Sequence, residues 1–116
     1  MLITKEFTFD AAHYLTHYKG KCEKMHGHTY KMQVTIKGEV KKDGMVYDFV
    51  ELKKLVRKNV IDALDHAVLN DIIKNPSAEN ICIWAWEQLS GTIKGAELYE
   101  VKVWETATSF ATYRGI

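Results

Sequence analysis

Three histidines and one cysteine are the residues of this chain whose types and spacing can do chemistry together. His13 stands alone, while Cys22, His26 and His28 fall inside KCEKMHGH, residues 21–28. Zinc at a catalytic site typically keeps three protein ligands and one open tetrahedral position, and neutral imidazole is a preferred ligand. His13, His26 and His28 can supply those three. Residues i and i+2 of an extended segment point to one face, so His26 and His28 converge on one ion if the chain is extended there. His13 joins them if the first two strands pair antiparallel. Cys22 leaves two readings open. As a fourth ligand it closes the shell, which predicts no activity and metal-dependent folding. As a free thiol it stands beside an open cation, where its pKa falls. The plain alternative for the histidines is three separate polar residues near strand ends, and His17 has no matched partner at all.

The elements that must position these groups are legible from periodicity. From Met1 to about His13 the chain alternates, with Lys5, Phe7, Phe9, Ala11 and His13 on one parity and Glu6, Thr8 and Asp10 on the other, which predicts a half-buried strand. From His28 to Val40 the alternation repeats, Tyr30, Met32, Val34 and Ile36 facing one way, and His26 and His28 share that apolar parity. Gly27 between them carries no side chain, so another backbone can approach there. Asp43-Gly44 predicts a tight turn and a short strand Met45 to Tyr47 pairing back. Asp48 and Glu51 have the spacing of a capping box, followed by Phe49, Leu52, Val56 and Val60 at helical spacing to about Leu64. A second helix starts near Pro76-Ser77, carries Cys82, Trp86 and Leu89 on one stripe and stops at Gly91. Residues 97–104 and 108–113 alternate again as a closing hairpin. The expected class is α+β, a mainly antiparallel sheet with two helices on one face.

Composition narrows the partners. At 116 residues one core is expected, hence one domain over 1–116. Sixteen basic against fifteen acidic residues give no electrostatic case for nucleic acid or a membrane surface. No apolar run approaches the roughly 20 residues that span a bilayer. The start MLITKEFTFD lacks the order of a secretory signal, so a cytoplasmic location is expected. Two cysteines are too few for a disulfide scaffold, and Cys82 on its helical stripe reads as core.

Other residues have two readings each. Asp65-His66 follows the first helix, where an Asp is commonly a capping or loop residue. Ser77 is a helix N-cap that needs no ligand, and Glu79 suits the first turn electrostatically. Glu105 continues the parity of Tyr99, Val101 and Val103, placing a carboxylate on a face that otherwise looks buried. Lys19, Lys21 and Lys24 flank the thiol as a solvated loop or as contacts for an anion.

Phe9-Asp10-Ala11-Ala12-His13, Cys22-x-x-x-His26-Gly27-His28, Asp65-His66, Pro76-Ser77-Ala78-Glu79-Asn80 and Trp104-Glu105-Thr106 together resemble the 6-pyruvoyltetrahydropterin synthase family. The three-residue gap between Cys22 and His26 is most similar to its 6-carboxytetrahydropterin synthase branch. The resemblance runs nearly end to end. It implies the tunnelling fold, with a four-stranded sheet whose strands pair between subunits into a barrel. The expected assembly is a homohexamer, a dimer of trimers with active sites at interfaces. It further implies Zn2+ on His13, His26 and His28, Cys22 as catalytic base, and Asp65 and His66 relaying protons from a neighbouring subunit. Glu105 becomes the pterin anchor, and Ser77 and Glu79 become substrate contacts. The implied reaction converts 7,8-dihydroneopterin triphosphate to 6-carboxy-5,6,7,8-tetrahydropterin, with loss of triphosphate and acetaldehyde, on the way to 7-deazaguanine tRNA bases (queuosine or archaeosine). The substrate is a small pterin triphosphate, and no nucleic acid or membrane takes part. Three alternatives remain: formation of 6-pyruvoyltetrahydropterin on the same site, the branch that makes a folate precursor and carries glutamate where this chain has Cys22, with Glu23 adjacent, and a non-catalytic zinc-binding protein in which Cys22 closes the shell.

Overall fold

In the computed structural model, which describes residues 1–16 and 24–116, the two strands that carry the histidines form one long antiparallel pair. Strand β1 (Leu2–His13) and strand β2 (His26–Lys37) run in register from Leu2 opposite Lys37 to His13 opposite His26. Strand β2 thus starts at His26 and ends at Lys37, earlier at both ends than its alternation alone predicts. Pairing with β1 extends the His26-Gly27-His28 segment, which is the condition for two convergent imidazoles. Alternation then sorts the faces. Phe7, Phe9 and Ala11 of β1 and Tyr30, Met32, Val34 and Ile36 of β2 are buried, while Glu6, Thr8 and Asp10 stay exposed.

The buried face is covered by helices. Helix α1 (Phe49–Val56) continues through a π-helical turn (Arg57–Ile61) into a short segment α2 (Asp62–Leu64). Leu52, Val56 and Val60 enter the core as the periodicity requires, but Phe49 is 50% exposed because it stands on the first turn, beyond the sheet's reach. Asp48 caps α1 by accepting from the Val50 N–H at 2.8 Å. Helix α3 (Ala78–Leu89) lays Ile81, Cys82, Ala85 and Leu89 into the same core, capped by Ser77, whose hydroxyl accepts from the Asn80 N–H at 3.1 Å. Pro76 therefore precedes the cap instead of opening the helix, and this leaves its carbonyl available for other work. Gly91, at φ +79°, ends the helix in the left-handed region.

The sheet has five strands, not four, in the order β3-β1-β2-β4-β5. Strand β4 (Glu97–Thr106) pairs antiparallel with β2 and with β5 (Ser109–Tyr113), giving the closing hairpin. The added strand β3 (Ala67–Val68) is two residues long and lies parallel to Ala11 and Ala12 of β1, too short for any periodic signal. The expected strand Met45 to Tyr47 does not form. Lys41 and Met45 close the Asp43-Gly44 turn by one backbone hydrogen bond of 3.0 Å, and the chain then passes directly to the Asp48 cap. Among the described residues, no helix is long and apolar enough to cross a membrane.

Candidate metal centre

The strand ends gather three imidazoles. His13 and His26 are cross-strand partners and His28 lies two residues further along β2 on the same face, so their rings meet edge to face with centroids 4.7 to 5.2 Å apart. One nitrogen from each ring lies within 4.8 Å of the other two. His13 is 1% exposed, and His26 and His28 are half-buried.

Backbone carbonyls fix the tautomers of two of the rings. His13 Nδ1–H donates to the Pro76 carbonyl at 2.8 Å, and His26 Nδ1–H donates to the Lys24 carbonyl at 2.9 Å. A carbonyl only accepts, so each Nδ1 must carry the proton and each neutral ring turns the Nε2 lone pair inward. The two Nε2 atoms stand 3.2 Å apart. Two lone pairs at that distance repel unless a cation lies between them. Tetrahedral ligands about 2.0–2.1 Å from zinc are separated by roughly 3.3 Å, so this pair already matches, and a His28 nitrogen lies within 4.8 Å of both. The residues present fit a metal ion.

Glu105 stands beside this group, its carboxylate 3.7 Å from His28 Nε2. The β4–β5 register shifts between Trp104 and Thr106, so Glu105 is the bulged residue and its side chain is re-aimed where the strand pairing breaks. It lines a recess of about 460 Å³ together with Glu79, Ala78 and Ser109 to Ala111. Glu79 therefore faces the same space as Glu105. Phe110, which sequence reading did not single out, lines it too and stacks on Trp104 with ring centroids 4.8 Å apart. Ser77 precedes Ala78 but is not itself one of the residues lining this recess, and its hydroxyl oxygen is engaged in capping α3.

Asp65 and His66 form a second group, separate from the imidazoles. His66 Nδ1 lies 3.1 Å from Asp65 Oδ2, and Asp65 Oδ1 accepts from the Asp10 N–H at 3.0 Å. The Asp10 amide holds the Asp65 carboxyl below its usual range; partial desolvation opposes this, and the neighbouring imidazole lowers it further. His66 adopts φ +60°, a costly region for a non-glycine residue. Its N–H donates to the Asp10 carbonyl at 2.6 Å, and the β3 pairing that follows keeps it there. Asp10 and Thr29, bonded to each other at 2.5 Å, have the strand parity opposite to the three histidines. His66, with Asp10, Ala12, Gly27 and Thr29, lines a recess that His28 of the imidazole group also lines. A Cβ at Gly27 would meet only the Ala11 carbonyl, at an ordinary contact distance of 3.6 Å, so no backbone approach among the described residues requires glycine there.

Cys22, with His17, Lys19 and Lys21, lies outside the described residues. Cys82 is core, its Sγ 3.5 Å from the Ala111 carbonyl, and burial pushes its thiol up to about 12. An alkylating reagent at pH 8 is expected to leave Cys82 unmodified in the native protein and to label it after denaturation. Peptide mass spectrometry showing native labelling of Cys82 would contradict its burial.

The family model for 6-pyruvoyl tetrahydropterin synthase matches residues 2–116. A 6-carboxy-5,6,7,8-tetrahydropterin synthase of Haemophilus influenzae is 35% identical over 97% of each chain. Another, of Synechocystis, is 39% identical over 97% of this chain and 92% of its own. The structure of the Caenorhabditis elegans 6-pyruvoyl tetrahydropterin synthase superposes with a TM-score of 0.86 at 29% identity, covering 100% of this chain and 96% of that one. The sheet, its helical cover and the nearly full-length match lead to one conclusion: the chain belongs to the 6-pyruvoyl tetrahydropterin synthase family.

Proposed function

We propose that this protein is a zinc-dependent 6-carboxytetrahydropterin synthase acting on 7,8-dihydroneopterin triphosphate. The observation that carries the reading is the set of three imidazoles, two with carbonyl-fixed tautomers, with Glu105 3.7 Å from His28 at the mouth of a recess. His13, His26 and His28 hold the ion. When bound, zinc supplies Lewis acidity toward the oxygens of the substrate side chain and lowers the pKa of a nearby thiol. Cys22, six residues along the chain from His28, takes the carbon-bound proton as a thiolate. His66, its tautomer held by Asp65, gives or takes a proton.

Glu105 accepts two N–H donors from the amino-pyrimidine edge of the pterin, a geometry that suits a carboxylate. Glu79 faces the same recess, and the Ser77 hydroxyl still has its own proton to donate toward the pterin. Triphosphate leaves as the carbon-bound proton is removed, and a later carbon–carbon cleavage that takes up one water releases acetaldehyde and leaves the carboxylate on the pterin. Asp65 and His66 form a group separate from the three imidazoles, and in this reading a second copy in a homohexamer supplies that pair to complete each site. The product serves synthesis of 7-deazaguanine tRNA bases.

Formation of 6-pyruvoyltetrahydropterin is the second reading, favoured by the name of the matched family and of the Caenorhabditis elegans structure. Mass spectrometry after incubating zinc-loaded protein with dihydroneopterin triphosphate separates the two. Carboxytetrahydropterin with acetaldehyde is expected. A pyruvoyl product moves the branch, and no turnover despite bound zinc overturns the enzyme reading. Glu105→Gln is expected to raise KM about 10–100-fold with a smaller change in kcat, since it removes charge-assisted hydrogen bonds made by substrate and transition state alike. An unchanged KM would remove Glu105 from the pterin.

A further inference from the structure

We propose that Asn75 is a positioning residue of the metal centre, one whose left-handed backbone turns the Pro76 carbonyl onto His13. The proposal rests on the reading of His13 as a metal ligand. Asn75 has φ +51°, a region that asparagine enters more readily than most residues with a side chain. Its carbonyl is held twice, by the Ser77 N–H at 2.8 Å and by Asn80 Nδ2 at 2.8 Å. With that peptide fixed, the next carbonyl, of buried Pro76, lands 2.8 Å from His13 Nδ1. The bond leaves the Nε2 lone pair of His13 as the inward one.

The side chain explains why asparagine stands here instead of glycine. Asn75 Oδ1 accepts from the Thr16 N–H at 3.0 Å and from the Thr16 hydroxyl at 3.4 Å. Asn70 grips the neighbouring residue, accepting from the Tyr14 N–H at 3.0 Å and donating to the Tyr14 carbonyl at 2.8 Å. The chain leaving His13 is therefore tied to the same segment that aims the Pro76 carbonyl. Ser77 and Asn80 join that segment to the N-terminus of α3, so one residue links the His13 tautomer, the exit of β1 and the helix cap.

The test separates backbone from side chain. Asn75→Ala removes the amide and disfavours positive φ, whereas Asn75→Gly removes the amide and permits it. Zinc affinity is read by chelator competition, the His13 tautomer by nitrogen NMR of the metal-free protein, and the Thr16 tie by amide hydrogen exchange. Faster Thr16 exchange is expected in both variants. Asn75→Ala is expected to weaken zinc binding about tenfold or more and to mix the His13 tautomers, with Asn75→Gly staying within roughly threefold of the wild type. Wild-type affinity and tautomer in Asn75→Ala, or equal losses in both variants, would overturn the proposal. Should Asn75→Ala not fold, Asn80→Ala removes one of the two donors that hold the Asn75 carbonyl; mixed His13 tautomers then support the role and an unchanged ring contradicts it. Because the tautomer is read without zinc or substrate, a wild type that binds no zinc or turns nothing over strikes the functional reading and leaves this test standing.

Discussion

His26→Ala is expected to abolish tight zinc binding and to lower synthase turnover at least about 10³-fold. An ion that polarises the substrate oxygens contributes several kcal/mol in the transition state, and about 4 kcal/mol is roughly a thousandfold in rate. Two imidazoles remain after the substitution, one fewer than a catalytic zinc site typically keeps. His26 is the informative choice because it is half-buried and its Nδ1 bonds to the exposed Lys24 segment. His13→Ala confuses binding with folding. That ring is 1% exposed, and its removal strips the Pro76 carbonyl of its donor, at a cost of about 1–3 kcal/mol in stability. Zinc content after dialysis, turnover and thermal melting separate these effects. Stoichiometric zinc and wild-type turnover in His26→Ala would remove the three-histidine centre from the account.

Cys22→Ala carries the second large effect, a loss of about 10²–10⁴-fold in turnover with zinc retained, the range expected when a positioned general base is removed. Thiol-to-methyl replacement leaves the three nitrogens untouched if Cys22 is a base. If it is the fourth ligand, zinc binding and folding weaken together, as in closed structural sites. Zinc content therefore decides what lost activity means. Retained zinc with lost turnover supports the base, lost zinc supports the closed shell, and retained turnover removes Cys22 from the chemistry.

Much of the positioning was legible because alternation reports burial directly. His13, His26 and His28 share the parity of Phe9 and Tyr30, and pairing β1 with β2 brings matched-parity residues to one end of the sheet. The cap at Ser77 and the stop at Gly91 follow from residue chemistry that acts locally. What sequence hid was backbone. The carbonyls of Pro76 and Lys24 that set the imidazole tautomers, and the Asp10 amide that holds Asp65, belong to peptide groups every residue carries, so no side-chain signal marks them.

Other differences have tertiary causes. Ala67–Val68 is too short to alternate, yet it exists because β1 offers an open edge and His66 is turned to meet it. Residues Met45 to Tyr47 have strand-like types but find no partner strand, since the Asp48 cap begins the helix at once. Simple parity puts Glu105 on the face of Val101 and Val103. The bulge between Trp104 and Thr106 shows that its direction comes from a break in pairing, which alternation does not anticipate.

X-ray absorption at the zinc edge of the metal-loaded protein tests the central claim most directly. Three histidine nitrogens and a light fourth ligand are expected at about 2.0–2.1 Å, with no sulfur scatterer, leaving the fourth position open to substrate and Cys22 free to act as a base. A sulfur at about 2.3 Å would make Cys22 a ligand, close the coordination shell and contradict the catalytic account.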